Sequence, residues 1–341
     1  MILSELIARI KPVSVCGSTD IEITGINIDS RRIKQGHIFV AMKGTQVDGH
    51  KFIGKAIELG AAAVLLEDMP EEIHDGVTYV QVESTEDCVG IAATTYFGNP
   101  SSKLKLVGVT GTNGKTTIAT LLYNMFRKFG HKVGLLSTVC NYIDGEPIPA
   151  SHTTPDPIEL NELLAKMVEA GCEYAVMEVS SQGIKMHRTD GLYFNYAIFT
   201  NISPDHIGPG EHADFEEYLY YKTRLLNMCG IGLVNKDDKH APQIIKAANC
   251  ELYTYSKESK EADFVASDIR YVSQPDFVGT EFHISGKYDM EVRLGIPGLF
   301  NVVNALAAVS VCSFLDLDKE KISHALEHIR VNGRMEIVYT S

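Results

Sequence analysis

The sequence lacks the features of a secreted, membrane-spanning or zinc-binding protein. No apolar run approaches the ~20 residues that a membrane-spanning helix needs. The first ten residues begin an amphipathic helix, without the basic segment and cleavage site of a signal peptide. The 7 cysteines are scattered, odd in number and without a C-x-x-C pair, which argues against a zinc knuckle or a disulfide framework. We therefore expect a cytoplasmic protein.

Positive charge is also scarce. The chain has 31 lysines and arginines against 44 acidic residues, a formal net charge of −13. This balance argues against a surface for nucleic acid or an anionic membrane. The 341 residues, 45% of them hydrophobic, are enough for two or more domains with buried cores. We expect small-molecule partners, no nucleic acid, no membrane, and a monomer because no apolar surface repeat is present.

Residues 106–117, LVGVTGTNGKTT, have the pattern of a phosphate-binding loop. An apolar strand enters a glycine turn, and the turn leads into a helix that begins with a lysine and two threonines. In such a turn the backbone N–H groups face an anion, Lys115 adds a positive charge, and a threonine hydroxyl can bind magnesium. The pattern predicts ATP binding.

The loop departs from the common P-loop spacing, because Val109 stands where that pattern has its first glycine. A glycine turn that only connects a strand to a helix is the alternative. However, apolar residues recur at helical spacing over residues 118–129, and Gly130 stands at the expected end of the helix. Strand, loop and helix together favour the phosphate site.

The remaining pattern divides the chain into α/β domains. Residues 1–100 form a small unit of short strands and a helix, and the cluster 98–102 marks a boundary before the phosphate loop. Strands and helices then alternate over residues 101–330. This alternation predicts a Rossmann-like P-loop domain with a mostly parallel sheet, whose ligands lie at the carboxyl ends of the strands.

Polar residues stand at or near the ends of three of these segments. Glu178 lies near the end of one strand, His206 follows another, and residues 153–156 precede a helix. An acid and a histidine near a phosphate loop suit a magnesium site. The alternatives are that Glu178 is a charge at the surface end of its strand and that His206 caps the following turn.

Lys222 falls on the apolar side of a helix predicted over residues 215–228. Burial of an unpaired ammonium group is costly. The lysine must therefore extend to solvent along its own stem, meet an acid or carry a modification.

Together these segments resemble the Mur ligases, the family that adds amino acids to the peptidoglycan precursor, and most of all the members that attach the third amino acid. The family's loop has the form of residues 111–117, which accounts for the unusual glycine spacing. In the first domain, residues 28–31, 36–41 and 44–53 are similar to the segments that hold the uridine end of the substrate. Folylpolyglutamate synthetases share the ATPase core but lack this domain.

The resemblance implies the binding residues of each substrate. For ATP they are Gly111, Thr112, Asn113, Gly114, Lys115, Thr116, Thr117, Asn301, Asn304 and Arg334. For the UDP-N-acetylmuramoyl-dipeptide they are Ile28, Ser30, Thr45, Gln46, Val47, Thr153, Thr154, Ser180 and Arg188. Gln182 and Met186 differ from the residues of many relatives, so we expect different contacts to the dipeptide at these two positions.

The same resemblance implies the chemistry. The substrate's D-glutamate carboxylate attacks the γ-phosphate of ATP, and the amino group of meso-diaminopimelate or L-lysine then displaces phosphate from the acyl phosphate. The implied catalytic residues are Lys115, Glu178, His206 and Lys222. The implied Mg²⁺ ligands are Thr116, Glu178, His206 and Lys222, the last as a carbamate.

Residues 333–336 resemble the hinge into a third, amino-acid-binding domain, of which residues 331–341 would be the start. If so, we expect this chain to bind its substrates but not to catalyse the ligation by itself. One alternative is a non-ligating protein of the same descent that binds a UDP-sugar and ATP. Another is a P-loop hydrolase or kinase, which leaves the first domain unexplained.

Overall fold

The computed structural model describes residues 1–44, 47–275, 277–315 and 317–328. Within these ranges, no helix has both the length and the apolar composition needed to cross a membrane. The contacts of the chain form two compact units. Unit 1 consists of residues 1–100, 155–165 and 186–192, and unit 2 of residues 101–154, 166–185 and 193 onward.

Unit 1 is therefore not continuous in sequence, whereas the sequence analysis placed residues 155–165 and 186–192 in the domain of residues 101–330. Packing accounts for the difference. Ile158 is buried in the same core as Leu3 and Val89, so the start of its helix belongs with the first hundred residues. Sequence periodicity marks a buried side of a helix but does not say which core receives it.

Unit 1 is built on a five-stranded sheet with the order β1-β5-β4-β3-β2. Strands β2 to β5 are parallel and β1 is antiparallel to β5. Its strands are β1 (Ser14–Cys16), β2 (Gly25–Asn27), β3 (His37–Val40), β4 (Ala63–Leu66) and β5 (Thr78–Gln81), and its first helices are α1 (Leu3–Ile7), α2 (Ile53–Glu58) and α3 (Thr85–Tyr96).

Helix α3 is not anticipated by the sequence analysis, although its start carries the usual signals. The Ser84 hydroxyl accepts a hydrogen bond from the backbone N–H of Asp87 at 3.2 Å, and Glu86 and Asp87 place negative charge in the first turn. Both features stabilise a helix start. The helix buries Val89 in the core of unit 1.

Unit 2 is built on an eleven-stranded sheet with the order β16-β15-β14-β13-β12-β11-β6-β10-β7-β8-β9. The strands are β6 (Lys105–Thr110), β7 (Val133–Leu136), β8 (Asn141–Ile143), β9 (Glu146–Ile148), β10 (Tyr174–Glu178), β11 (Phe194–Phe199), β12 (Cys229–Asn235), β13 (Glu251–Ser256), β14 (Phe264–Gln274), β15 (Phe277–Gly286) and β16 (Met290–Leu294). The helices are α4 (Lys115–Lys128), α5 (Pro157–Glu169, whose first residues belong to unit 1), α6 (Ser181–Lys185), α7 (Phe215–Thr223), α8 (Ala241–Ala247), α9 (Leu299–Cys312) and α10 (Lys319–Glu327).

The predicted α/β class with a mostly parallel sheet is confirmed. The central strands β7, β10, β6, β11, β12, β13 and β14 pair in parallel, and only the hairpins at the two edges are antiparallel. Strand β6 lies between β10 and β11. The carboxyl ends of these strands therefore meet at one edge, where the phosphate loop begins.

Two helices position the candidate site. Helix α4 has the predicted apolar side, and Ile118, Leu122 and Phe126 are completely buried in the core of unit 2. Helix α7 is shorter than the predicted 215–228, because the chain continues after Thr223 as a 3-10 turn over Arg224–Asn227. Lys222 lies in its last turn.

Candidate active site

The phosphate loop joins β6 to α4, and two of its glycines have backbone conformations that other residues rarely adopt. Gly111 has a φ of +141° and Gly114 a φ of +91°. A Cβ atom on Gly111 would lie 1.9 Å from Thr200 Oγ1, and one on Gly114 would lie 2.6 Å from Asn304 Oδ1. Glycine at both positions therefore allows the loop backbone to approach its neighbours closely.

Residues after β11 hold the loop in this shape. The Asn113 backbone N–H donates to Asn201 Oδ1 at 3.0 Å, and the Asn113 carbonyl accepts from Asn201 Nδ2 at 3.0 Å and from Thr200 Oγ1 at 2.6 Å. The start of α4 follows directly, and the first N–H groups of a helix attract an anion. These hydrogen bonds thus hold the loop backbone in a shape that suits a phosphate group.

Two lysines converge on the first glycine of the loop. Lys115 Nζ donates to the carbonyl oxygens of Gly111 and Thr112 at 2.8 and 3.0 Å. Lys222 Nζ, from α7, donates to the same Gly111 carbonyl at 2.9 Å. The structure therefore brings together two of the predicted catalytic residues.

Glu178 ends β10 and is completely buried. Its Oε1 accepts from Ser137 Oγ at 2.8 Å and from the Thr138 backbone N–H at 2.9 Å. Its Oε2 accepts from Thr116 Oγ1 at 2.9 Å and from Thr138 Oγ1 at 3.2 Å. The reading of Glu178 as a charge at the surface end of its strand is therefore wrong.

A small cavity of about 110 Å³ lies over this carboxylate. Its lining residues are Thr112, Asn113, Gly114, Lys115, Thr116, Thr117, Thr138, Thr153 and Glu178. The carboxylate and the hydroxyls of Thr116 and Thr138 are oxygen ligands, which Mg²⁺ prefers. The donor set thus fits a magnesium ion beside the phosphate loop.

A larger cavity of about 600 Å³ opens on the other side of the loop. It is lined by Asn113, Gly114, Thr117, Thr200, Asn201, Asn235, Tyr255, Lys257, Ile296, Phe300, Asn301, Val303 and Asn304. The predicted ATP residues Asn301 and Asn304 thus share a cavity with the loop. Phe300 was missed by the sequence analysis. Its ring is 57% exposed at the start of α9, which offers a flat apolar surface to a base.

His206 has a different environment from Glu178. Its side chain is 57% exposed, its Nδ1 lies 3.0 Å from Glu211 Oε1, and its Nε2 lies 3.7 Å from Asp205 Oδ2. It does not line the small cavity over Glu178. The structure thus does not bring these two predicted magnesium ligands into one cavity.

Lys222 is buried, with 2% of its surface exposed, as its position on the apolar side of the helix predicts, and the alternative that it extends to solvent is wrong. Its Nζ lies 4.6 Å from the centre of the Tyr218 ring. Burial and the nearby positive charge of Lys115 hold the pKa of Lys222 well below its usual value, and Asp205 opposes this only in part.

The predicted uridine residues of unit 1 follow β2 and β3. Ser30 is buried at the start of a 3-10 turn, where Asp29 Oδ1 accepts from the Arg31 backbone N–H at 3.0 Å. Ile28 comes directly after β2, and Val47 is exposed in the chain beyond β3. The predicted residues Thr45, Gln46 and Arg334 lie outside the described residues, as does the predicted hinge at 333–336.

The predicted dipeptide residues fall in both units. In unit 2, Thr154 Oγ1 donates to the Glu178 carbonyl at 3.1 Å and accepts from the Ser180 backbone N–H at 3.0 Å. Thr153 Oγ1 accepts from Thr138 Oγ1 at 3.0 Å. In unit 1, Arg188 is half-buried, and burial lowers its pKa.

Ser137 and Thr138 are two further site residues that sequence reasoning missed. They follow β7, which pairs in parallel with β10, and so their polar groups meet Glu178 at the shared edge. The signal was the same as that used for Glu178, namely polar residues directly after an apolar strand.

The loop, the buried carboxylate and the two cavities define a nucleotide-binding α/β protein of the P-loop class. Residues 109–312 match the model of the Mur ligase middle domain, and residues 22–96 match that of the Mur ligase family catalytic domain. The chain belongs to the Mur ligase family. It is an ATP-dependent ligase that requires Mg²⁺.

Known proteins resemble the chain over its whole length. It is 47% identical over 342 residues to the UDP-N-acetylmuramoyl-L-alanyl-D-glutamate--2,6-diaminopimelate ligase of Bacteroides fragilis, covering 99% of the chain and 68% of the relative. Identity to the ligase of the same name from Clostridium perfringens is 36% over 344 residues, covering 99% and 69%.

Solved structures agree with these relatives. A ligase structure with the same substrate name has a TM-score of 0.85 at 25% identity, covering 100% of this chain and 69% of that one. MurF from Acinetobacter baumannii has a TM-score of 0.71 at 21% identity, covering 99% and 70%, and supports the fold alone.

Proposed function

We propose that the chain binds ATP and UDP-N-acetylmuramoyl-L-alanyl-D-glutamate and serves the ligation of a third amino acid, meso-diaminopimelate, to that dipeptide. The observation that carries the proposal is the 47% identity, across 99% of the chain, to a relative whose name specifies these substrates. L-Lysine is the other amino acid to test. The three steps below concern ATP, the dipeptide substrate and the reaction.

ATP binds in unit 2. Its phosphates occupy the loop 111–117, where the free N–H groups at the start of α4 and Lys115 neutralise them. Its base enters the larger cavity beside Asn301, Asn304 and Phe300, which lines that cavity. A cavity of about 600 Å³ is within the range of small-molecule sites.

The UDP-linked substrate uses residues of each unit. In unit 1, Ile28, Ser30 and Val47 contact the uridine end, together with Thr45 and Gln46, and Arg188 binds a carboxylate. In unit 2, Thr153, Thr154 and Ser180 present hydroxyls to the peptide-bearing part. An arginine suits the carboxylate because its planar guanidinium donates two parallel hydrogen bonds.

In the reaction, a D-glutamate carboxylate oxygen forms a bond to the γ-phosphorus of ATP as the bond from that phosphorus to the β,γ-bridging oxygen breaks. ADP leaves, and the amine of the third amino acid then displaces phosphate from the acyl phosphate, losing a proton. The residues of this chain bind and orient the reactants and balance charge, as in other phosphoryl transfers. Mg²⁺, held by Thr116 and Glu178, would offset the negative charge on the phosphates.

Lys222 acts as a carbamate. Its neutral amine adds to the carbon of CO₂ and loses a proton, and the new carboxylate-like group then faces the loop in place of an amine. The lowered pKa of Lys222 supports this role, because only the unprotonated amine can attack CO₂.

The decisive experiment measures binding and the first half-reaction separately. Isothermal calorimetry should detect UDP-N-acetylmuramoyl-L-alanyl-D-glutamate, with weaker binding of UDP-N-acetylglucosamine, which lacks the dipeptide. With ATP and Mg²⁺, hydroxylamine should trap the acyl phosphate as a hydroxamate without any added amino acid.

Two results would overturn the proposal. Equal affinity for the two UDP-sugars would favour the non-ligating UDP-sugar protein. Absence of both UDP-sugar binding and hydroxamate, with ATP hydrolysis retained, would favour the P-loop hydrolase. Where product forms, faster reaction with L-lysine than with meso-diaminopimelate would correct the amino acid.

A further inference from the structure

A turn in unit 1 contains a histidine that two carboxylates share. His187 Nδ1 lies 2.8 Å from Asp190 Oδ2 and 3.2 Å from Asp87 Oδ1. Asp190 belongs to the same turn, whereas Asp87 belongs to α3. One ring nitrogen therefore links the turn to the helix. It donates to these carboxylates when it carries a hydrogen, and the charged imidazolium makes the stronger, charge-assisted hydrogen bonds.

The backbone of the turn is held in an uncommon conformation. His187 has a φ of +52°, in the left-handed region that non-glycine residues rarely adopt. Such a conformation persists where surrounding contacts enforce it. The shared imidazolium is one such contact.

Two glycines supply the close packing. A Cβ atom on Gly90 of α3 would lie 2.7 Å from the Asp190 carbonyl oxygen and 3.0 Å from that of His187. A Cβ atom on Gly191 would lie 2.9 Å from Thr94 Oγ1 of α3. The backbone of the turn thus packs closely on α3 at residues 187, 190 and 191.

The next residue along the turn is Arg188, which the proposed function assigns to a substrate carboxylate. Its guanidinium is half-buried, with Asp156 and Glu159 at the start of α5 as the acids that act on it. Because Arg188 follows His187 directly, the direction of its side chain depends on the backbone angles at residue 187.

We propose that His187 is a positioning residue: its imidazolium, shared by Asp87 and Asp190, fixes the turn that presents Arg188 to the carboxylate of the UDP-linked dipeptide. This inference rests on the proposed function of Arg188. It adds a pH dependence to the binding of the dipeptide substrate.

The expected direction follows from the charges around the ring. The hydrogen bond to Asp190 and the charges of Asp190, Asp87 and Glu86 raise the pKa of His187 above its usual value, with burial opposing them. Its charged form therefore persists to higher pH than that of an ordinary histidine, and it is lost as the pH rises through the raised pKa of the folded state. Affinity for the dipeptide should fall over that upper range.

The test compares two ligands across pH 6 to 9 by calorimetry, without ATP. For UDP-N-acetylmuramoyl-L-alanyl-D-glutamate, Asp190→Asn and His187→Asn should each weaken binding about tenfold at pH 6.5, the scale of one charge-assisted hydrogen bond. His187→Asn should also remove the pH step, since asparagine tolerates the left-handed backbone but cannot carry the charge. UDP alone should bind all variants equally.

Glu58→Gln is the matched control, because it removes one acid from unit 1 that pairs only with the exposed Lys55 at 3.1 Å. This substitution should change the affinity for neither ligand. If His187 had a purely structural role, its substitution would lower stability and would weaken the binding of UDP and of the dipeptide substrate equally. That result would overturn the inference. A proton resonance of His187 that titrates without a raised pKa would do the same.

Two further outcomes distinguish the remaining interpretations of the cluster and of the proposed function. Loss of binding with EDTA and recovery with Mn²⁺ would mean that a metal ion, not a proton, joins the three side chains, and the inference would be wrong. Wild-type protein that binds UDP but not the dipeptide substrate would refute the proposed function itself. In that case the His187 titration measured by NMR still reports whether the charged cluster exists.

Discussion

The side-chain nitrogens of Lys115 and Lys222 donate to one acceptor, the carbonyl oxygen of Gly111, at 2.8 and 2.9 Å. Lys222 is deeply buried, and the positive charge of Lys115 acts on it from nearby. Its pKa is lowered as a result. The phosphate loop thus has beside Lys115 a second lysine whose charged form is disfavoured.

Carbamate formation on Lys222 should be directly visible. Protein equilibrated with ¹³C-bicarbonate should give a carbamate carbonyl resonance, and Lys222→Met should abolish it. Lys115→Met should weaken the signal, because removal of the neighbouring charge raises the pKa of Lys222. A resonance that persists in Lys222→Met would contradict the assignment.

Gly114, before the start of α4, should not tolerate a side chain, and Gly130 is the control that separates the effect of its φ from the effect of its close packing. Gly114→Ala combines a positive φ with a Cβ atom 2.6 Å from Asn304 Oδ1. Gly130 has the same φ of +91° at the other end of the helix but no neighbour within 4 Å of its Cβ position. Gly130→Ala should therefore cost about 1–2 kcal/mol of unfolding free energy and leave ATP binding intact.

Gly114→Ala should cost more than this and also abolish ATP binding, because Asn304 or the loop must move. Urea denaturation and calorimetry with ATP measure the two effects. Equal destabilisation of the two variants, with ATP binding preserved in both, would mean that the close approach to Asn304 has no role.

Glu178→Gln should separate metal binding from folding. The amide oxygen can still accept from Ser137 and the Thr138 N–H, and the hydroxyls of Thr116 and Thr138 can rotate to accept from the new NH₂ group. The melting temperature should therefore change little. Affinity for ATP should fall about tenfold or more with Mg²⁺ present and stay constant without it.

Glu173→Gln is the control, since Glu173 precedes the same strand at its opposite end and pairs with His131 at 3.1 Å. It should affect neither the fold nor the magnesium dependence. Equal loss of ATP affinity in Glu178→Gln with and without Mg²⁺ would contradict a metal-binding role.

The sequence predicted those features of the structure that depend on the local pattern of residues. The phosphate loop and α4 follow from glycine spacing and helical periodicity, and Lys222 was predicted to face inward from the apolar positions around it. The partners of Glu178 were not predicted, because Ser137 and Thr138 reach it only through the pairing of β7 with β10. Strand order is a long-range property that periodicity does not contain.

The same limit applies to the two units. The turn that carries Arg188 lies in unit 1 because glycines permit its contact with α3, and no feature of residues 186–192 alone indicates that partner. His206 illustrates the reverse case. The sequence pattern around His206 was recognised, but the exposed position of its side chain beside Glu211 depends on the path of the chain after β11.

His212 should make the protein less stable in acid. It is completely buried between the rings of Tyr218 and Tyr221, and its Nε2 lies 2.9 Å from Ser181 Oγ. Burial, with the positive charge of Lys185, lowers its pKa below 6.5, and Glu217 opposes this only in part. Above pH 6.5 the ring is neutral in the folded and unfolded chains, so its titration does not affect stability there.

As the pH falls below 6.5, the unfolded chain binds the proton first, and stability is lost until the folded pKa is passed. His212→Phe keeps the packing between the two tyrosines but leaves the Ser181 hydroxyl without this partner, which should cost about 1 kcal/mol at pH 8. At pH 5 the difference from wild type should shrink or reverse, because phenylalanine has no proton to bind. Urea denaturation at the two pH values measures this, and a difference that is the same at both would mean that His212 titrates as it does in the unfolded chain.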